Sequence, residues 1–176
     1  MPASALPDGK IYTSFRYDDS PTGNVVASFL SHSDGTPVQQ VRAFVAPYKT
    51  NTRSGTGTPI VIGIQLVYED KTKSHVLGDS DGPDSKMVTF DCDTINSMTI
   101  RSADRIDSIS GQDDMHRPFH VGNEDDKYGI VHPQTIAGSS GKLLGFHGTW
   151  TSENTVGARH ELVSLGAIFR TKIIHD

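Results

Sequence analysis

A chain of 176 residues and 19.1 kDa matches one domain of ordinary size. Its 35% hydrophobic and 21% charged residues leave room for a lean core, and 17 Gly and 9 Pro call for frequent turns. A net charge of -5 without any Lys/Arg run argues against nucleic acid and anionic membrane surfaces as partners, and no apolar stretch approaches the ~20 residues that span a bilayer.

The opening residues "MPASALPDGK" show neither the basic nor the apolar region of a secretory signal. A single cysteine, Cys92, cannot close an internal disulfide. Together these favour a reducing, cytoplasmic setting. Residues 1–30 read as an N-terminal extension or as edge strands, with "KIYTSFRYDD" (10–19) and "NVVASFLSHSDG" (24–35) as the candidates. Residues 31–176 form the expected compact domain.

From there the pattern is of strands. "VQQVRAFVA" (38–46) alternates imperfectly, "PIVIGIQLVYED" (59–70) is a β-branched and aromatic run, and "KMVTFDCDTINSMTIRSADRIDSIS" (86–110) holds three apolar segments. "GKLLGFHGTW" (141–150) and "ELVSLGAIFRTKII" (161–174) follow, for roughly ten to twelve strands in all. Between them lie turn clusters rich in Gly, Pro, Asp and Ser, such as "SHSDGTP" (31–37), "LGDSDGPDS" (77–85) and "GQDDMHRP" (111–118). Helical spacing of apolar residues is scarce.

Three segments echo one another: "VIGIQLVYED" (61–70), "RIDSISGQDD" (105–114) and "LVSLGAIFRT" (162–171). Each carries an apolar residue, a variable one, a small one, then Ile or Leu. Copies of a supersecondary unit that cannot bury its apolar face alone pack around a common axis, and three copies predict a three-faced prism.

In this order the segments resemble the jacalin-related lectins. "KLLGFHG" (142–148) is similar to the family's Gly-Phe-His-Gly step, "LVSLGAIF" (162–169) to its closing strand, and "VTFDCDTINSMTIRSADRIDSI" (88–109) to its middle repeat. The resemblance covers about residues 35–171 and implies an all-β fold, the β-prism I. That fold has three four-stranded Greek-key sheets about a pseudo-threefold axis, with no metal, no cofactor and no catalysis. It also implies a sugar site at one end, where a Gly-x-x-x-Asp hairpin stands beside a glycine-rich loop. A carboxylate there accepts hydrogen bonds from neighbouring sugar hydroxyls while backbone N–H groups donate to them.

Carried over residue by residue, the family's acidic position falls on Ile62, Asp107 and Val163 in the three repeats. The first therefore offers no site. In the middle repeat the candidates are Asp104, Arg105 and Asp107, with "HRPFHVG" (116–122) as the loop beside them. In the last, Gly157, Arg159, His160 and Glu161 offer a Gly-x-x-x-Glu, with Asp34 and Gly35 of "SHSDG" as the companion turn. Strand alternation places Glu161 on the face of Val163. Leu143, Leu144 and Phe146 are expected in the core, and Gly145 and Gly148 in close strand packing. His147 is expected outside, as a solvated strand histidine.

The remaining constellations are weak. Pro118 between His116 and His120 opposes a helical metal pair, and "DSDGPD" (79–84) lacks the ligand spacing of a calcium loop. No nucleophile elbow, phosphate loop or dinucleotide fingerprint occurs. Cys92 has no basic neighbour and reads as a free thiol on or near a strand. The expected function is binding of mono- or oligosaccharides and glycoproteins, through a hexose such as mannose or galactose. Weak single sites call for a homodimer or larger assembly. The alternative is a β-prism serving as a protein-interaction or structural module.

Overall fold

Short runs of β-branched and aromatic residues, stopped by Gly, Pro and Asp turns, fold here as strands. The computed structural model describes residues 25–47, 59–81, 84–102, 105–123, 130–135, 139–151 and 161–171, and among them are eleven strands and no helix. They are β1 (Val25–Ser31), β2 (Val38–Pro47), β3 (Pro59–Tyr68), β4 (Leu77–Gly78), β5 (Lys86–Asp91) and β6 (Ile95–Ser102), then β7 (Ile106–Asp113), β8 (Pro118–Gly122), β9 (Ile130–Thr135), β10 (Ser139–Thr151) and β11 (Leu162–Thr171). The candidate strand at 10–19 lies outside the described residues.

The strands form three sheets. One has the order β5-β2-β3-β4 and a second β9-β6-β7-β8, and both are antiparallel. In each, the fourth strand in sequence returns to lie beside the first, which is the Greek-key order. The ladders of the two sheets join through a single residue pair, Val61 with Ile106, so they meet at a corner, and the Phe90 and Phe119 rings stack between them at 4.5 Å. The third sheet is β1-β10-β11. Here β1, from the start of the chain, takes the place beside β10 that β5 and β9 hold in the other two. Where four strands were expected, this sheet has three among the described residues. Residues 24–35, read as an edge strand, do supply one, and β1 runs across the 30/31 boundary drawn from the sequence.

All three sheets contribute to one core, with Val41, Ile64, Met98, Ile109, Phe146 and Leu165 among its members. This common core explains the repeated segments. Each puts the two apolar residues of the pattern, three apart, into it: Val61 and Ile64, Ile106 and Ile109, Leu162 and Leu165. Residues three apart on a regular strand face opposite ways. The conflict is resolved by a β-bulge in the same place in every repeat. Phe44 pairs with Gly63 but Val45 with Val61; Arg101 pairs with Ser108 but Ser102 with Ile106; Thr149 pairs with Ser164 but Trp150 with Leu162. The residues passed over are Ile62, Asp107 and Val163. An extra residue of this kind turns the strand so that both apolar neighbours face inward.

The Gly-Phe-His-Gly step lies at the centre of β10. Leu143 and Phe146 point into the core as expected, and Leu144 is buried outside that cluster. A Cβ on Gly145 would lie 1.8 Å from the Leu30 carbonyl oxygen, and one on Gly148 would lie 2.4 Å from that of Ser164. Both glycines are there because neighbouring strands come too close for a side chain. His147 departs from expectation. It is half-buried, its ring lies 5.9 Å from that of Phe29, and its Nε2 has no hydrogen-bond partner. Burial lowers its pKa from the ordinary value. The outer face of this sheet is not solvated in the way alternation suggests, since Leu144, Val163 and Ile168 are buried as well.

Candidate functional site

The three repeats turn at one end of the prism. There the β2–β3, β6–β7 and β10–β11 pairings begin at Pro47 with Pro59, Ser102 with Ile106 and Trp150 with Leu162. The corner pair Val61 and Ile106 stands at this end too. Residues 48–58, 103–104 and 152–160 lie outside the described residues, and with them the candidates Asp104, Gly157, Arg159 and His160.

Two candidates drawn from different repeats meet here. Arg105, just before β7, places its Nε 2.8 Å from Oε2 of Glu161, just before β11, with side-chain exposures of 20% and 11%. Each is followed by a core residue, Ile106 or Leu162. The middle and last hairpins, expected to make separate sites, are thus joined by a charge-assisted hydrogen bond.

Asp107 is not at the surface. It is 1% exposed, so it cannot meet a ligand's hydroxyls from its position on the bulge. Its equivalents Ile62 and Val163 are 0% and 6% exposed. The bulge that aims these three residues therefore aims all of them into packed surroundings, and the expectation of an outward Asp107 is corrected.

Sequence reasoning missed what covers two of the bulges. Gly78, at φ +88°, leads to Asp79, whose N–H donates to the Ile62 carbonyl at 2.9 Å. Gly122, at φ +99°, leads to Asn123, whose N–H donates to the Asp107 carbonyl at 2.8 Å. A Cβ on either glycine would lie 2.4 or 2.2 Å from that same carbonyl oxygen, so glycine is required on two counts. The signal was present as an apolar-Gly-Asx triplet, Leu77-Gly78-Asp79 and Val121-Gly122-Asn123.

The companion loops need correction. β1 pairs its last residue, Ser31, with Gly145, and its first, Val25, with Thr151. The turn that follows β1 is therefore at the far end. There Arg170, near the end of β11, donates from Nη2 to the Gly35 carbonyl at 3.1 Å. Glu161 and Arg170 stand at opposite ends of β11, about 30 Å apart at ~3.3 Å per residue, so Asp34 and Gly35 do not accompany Glu161. Asp34 is exposed, and its N–H donates to His32 Nδ1 at 3.1 Å, while His32 Nε2 lies 2.7 Å from Asp70 Oδ2.

The same holds for Arg117, which lies in the far-end turn between β7 and β8. There Asp113 accepts from the Met115 and Arg117 N–H groups and from Arg117 Nε. His116 in this turn has φ 60°. What accompanies the middle hairpin is Gly122 with Asn123. The far end also holds a cleft of about 410 Å³ lined by Gln39, Glu69, Asp91, Cys92 and Asp93. The Cys92 thiol is buried, and burial first, then the Asp91 charge, raises its pKa. That is the opposite of what a nucleophilic thiolate needs.

No protein-family model matches the chain, and no curated protein matches it in sequence. Its fold, however, is shared with solved structures. A prostate-specific WGA16 glycoprotein lectin superposes with a TM-score of 0.62 at 16% identity, covering 90% of this chain and 97% of that one. Artocarpin, in its complex with mannotriose, gives 0.58 at 13% identity, covering 92% and 98%. The V. cholerae biofilm matrix protein Bap1 gives 0.61 at 14%, but the match covers 96% of this chain and only 24% of that one. The fold is the β-prism I of the jacalin-related lectins, as the sequence resemblance implied.

Proposed function

We propose that the chain is a carbohydrate-binding protein without catalytic activity, and that it takes a hexose such as mannose or galactose at the hairpin end of the prism. The observation that carries this is the meeting of Arg105 and Glu161 there, on the same scaffold as a lectin solved with mannotriose. Glu161 replaces in kind the carboxylate that Val163 cannot supply, and Gly157, Arg159 and His160 precede it in the sequence. A carboxylate that accepts from adjacent hydroxyls, flanked by backbone donors, suits a pyranose edge.

Single shallow sites of this type bind in about the millimolar to micromolar range. Useful affinity for glycoproteins therefore calls for a homodimer or larger assembly. The single buried Cys92 suits a reducing, cytoplasmic setting. A net charge of -5 does not suit nucleic acid.

A second reading, a protein-interaction module without sugar binding, is favoured by the burial of all three bulge residues, Ile62, Asp107 and Val163. A glycan array separates the two. Specific binding that is lost in Glu161→Ala and kept in Asp107→Asn supports the lectin. Silence on every glycan leaves the interaction module.

A further inference from the structure

We infer that Arg105 is a positioning residue for Glu161 as a saccharide acceptor, so that the site draws on two repeats rather than one. This rests on the reading of Glu161 as the hydroxyl acceptor. Glu161 stands at the foot of its hairpin, directly before Leu162, which is fully buried. A carboxylate on a free hairpin arm samples several rotamers, and fixing them on binding costs entropy. Here the cost is met in advance by the neighbouring repeat.

Arg105 is a firm post. The next residue, Ile106, is fully buried and pairs both with Ser102 in its own sheet and with Val61 across the corner. The Arg105 guanidinium reaches from there to Glu161 Oε2 at 2.8 Å, and only 20% of the Arg105 side chain and 11% of the Glu161 side chain are exposed. A guanidinium is planar and its N–H groups are fixed in direction, so the Nε–H bond fixes where Oε2 sits. Lysine would hold the charge without that fixed direction.

The test compares wild type with Arg105→Lys, Arg105→Met and Glu161→Gln. It uses titration with methyl α-mannoside and methyl α-galactoside, thermal melting as the fold control, and amide hydrogen exchange across residues 161–165. The expected order of affinity is wild type, then Lys, then Met. The Met variant should be weaker by about tenfold, the loss of one charge-assisted bond, at an unchanged melting curve for the core. Exchange at Glu161 and Leu162 should quicken in Arg105→Met even without sugar.

If wild type binds and Arg105→Met binds equally well while Glu161→Gln does not, the positioning role is overturned and the saccharide reading stands. If wild type binds neither glycoside, that reading falls, and the exchange data still decide the tether: unchanged exchange in Arg105→Met overturns it. Should Arg105→Met not fold, Arg105→Lys carries the same comparison, since it keeps charge and stem.

Discussion

His147 shows how far one side chain can bear on the behaviour of the protein. Its Nε2 is buried without a partner against Phe29, and burial lowers its pKa. An unfolded imidazole takes up its proton near pH 6.5, and the native one does so only at lower pH. The unfolded chain thus binds more protons once the pH drops below about 6.5, and stability falls with pH through that window. Urea unfolding at pH 7.5 and 5.5 should show a loss in wild type that is much reduced in His147→Phe. That variant should also gain about 1 kcal/mol at neutral pH, because no buried nitrogen is left unsatisfied.

Asp70 acts in a separate window. The Thr72 side-chain hydroxyl first, then the Thr72 N–H, lower its pKa from the ordinary value. Its contribution is complete above about pH 4 and is lost as the pH falls further.

The glycines can be tested in the same way. Gly145→Ala would put a methyl group 1.8 Å from the Leu30 carbonyl oxygen and should cost about 3 kcal/mol or more, since backbone of the partner strand has to move. A variant with unchanged urea midpoint would contradict the close approach. The need for these glycines was legible, because a strand interior gives up packing and entropy at each glycine unless a neighbouring backbone comes close. The burial of His147 was not. Alternation states which face a residue is on and says nothing about whether that face meets water.

Among the elements, the bulge is the feature the sequence carried without its being recognised. The apolar-variable-small-apolar pattern occurs three times, yet a spacing of three does not fit a regular strand, and the strand-like runs around it carry no sustained helical period. Only a bulged strand puts Val61 and Ile64, or Leu162 and Leu165, into one core. The same bulge defeats the alternation argument by which Glu161 was placed beside Val163. Glu161 is held at this end by Arg105 instead, a contact between repeats that no local pattern encodes.

β1 is a second element with a testable role. It supplies the edge of the third sheet and carries Leu30 into the core. A chain shortened to begin at His32 should lose cooperative unfolding and near-ultraviolet dichroism. A truncated protein that melts like the full chain would show that the third sheet holds without it.

At the scale of the whole molecule, the repeat echo was enough to predict the prism, and the prism is what the chain forms. The assignment of loops to ends failed for a physical reason. Each antiparallel strand reverses direction, so the turns after β1 and β7 fall opposite to the hairpins that begin β7 and β11. Counting reversals requires correct strand boundaries, and strands as short as β4 and β8, with two and five residues, are hard to place from composition. "SHSDG" and Arg117 were drawn to the hairpin end by motif likeness, whereas Arg170 and Asp113 hold them at the other.

A saccharide is expected to meet the prism where the repeats join. Two-dimensional ¹H–¹⁵N spectra of the labelled full chain, recorded during titration with methyl α-mannoside and then methyl α-galactoside, test this most directly. The predicted result is saturable movement of the Arg105, Ile106, Glu161 and Leu162 amides with at least one of the two, at millimolar sugar or below, with Gly35, Glu69 and Asp93 at the far end unmoved. No movement with either sugar, or movement confined to the far-end residues, would contradict it.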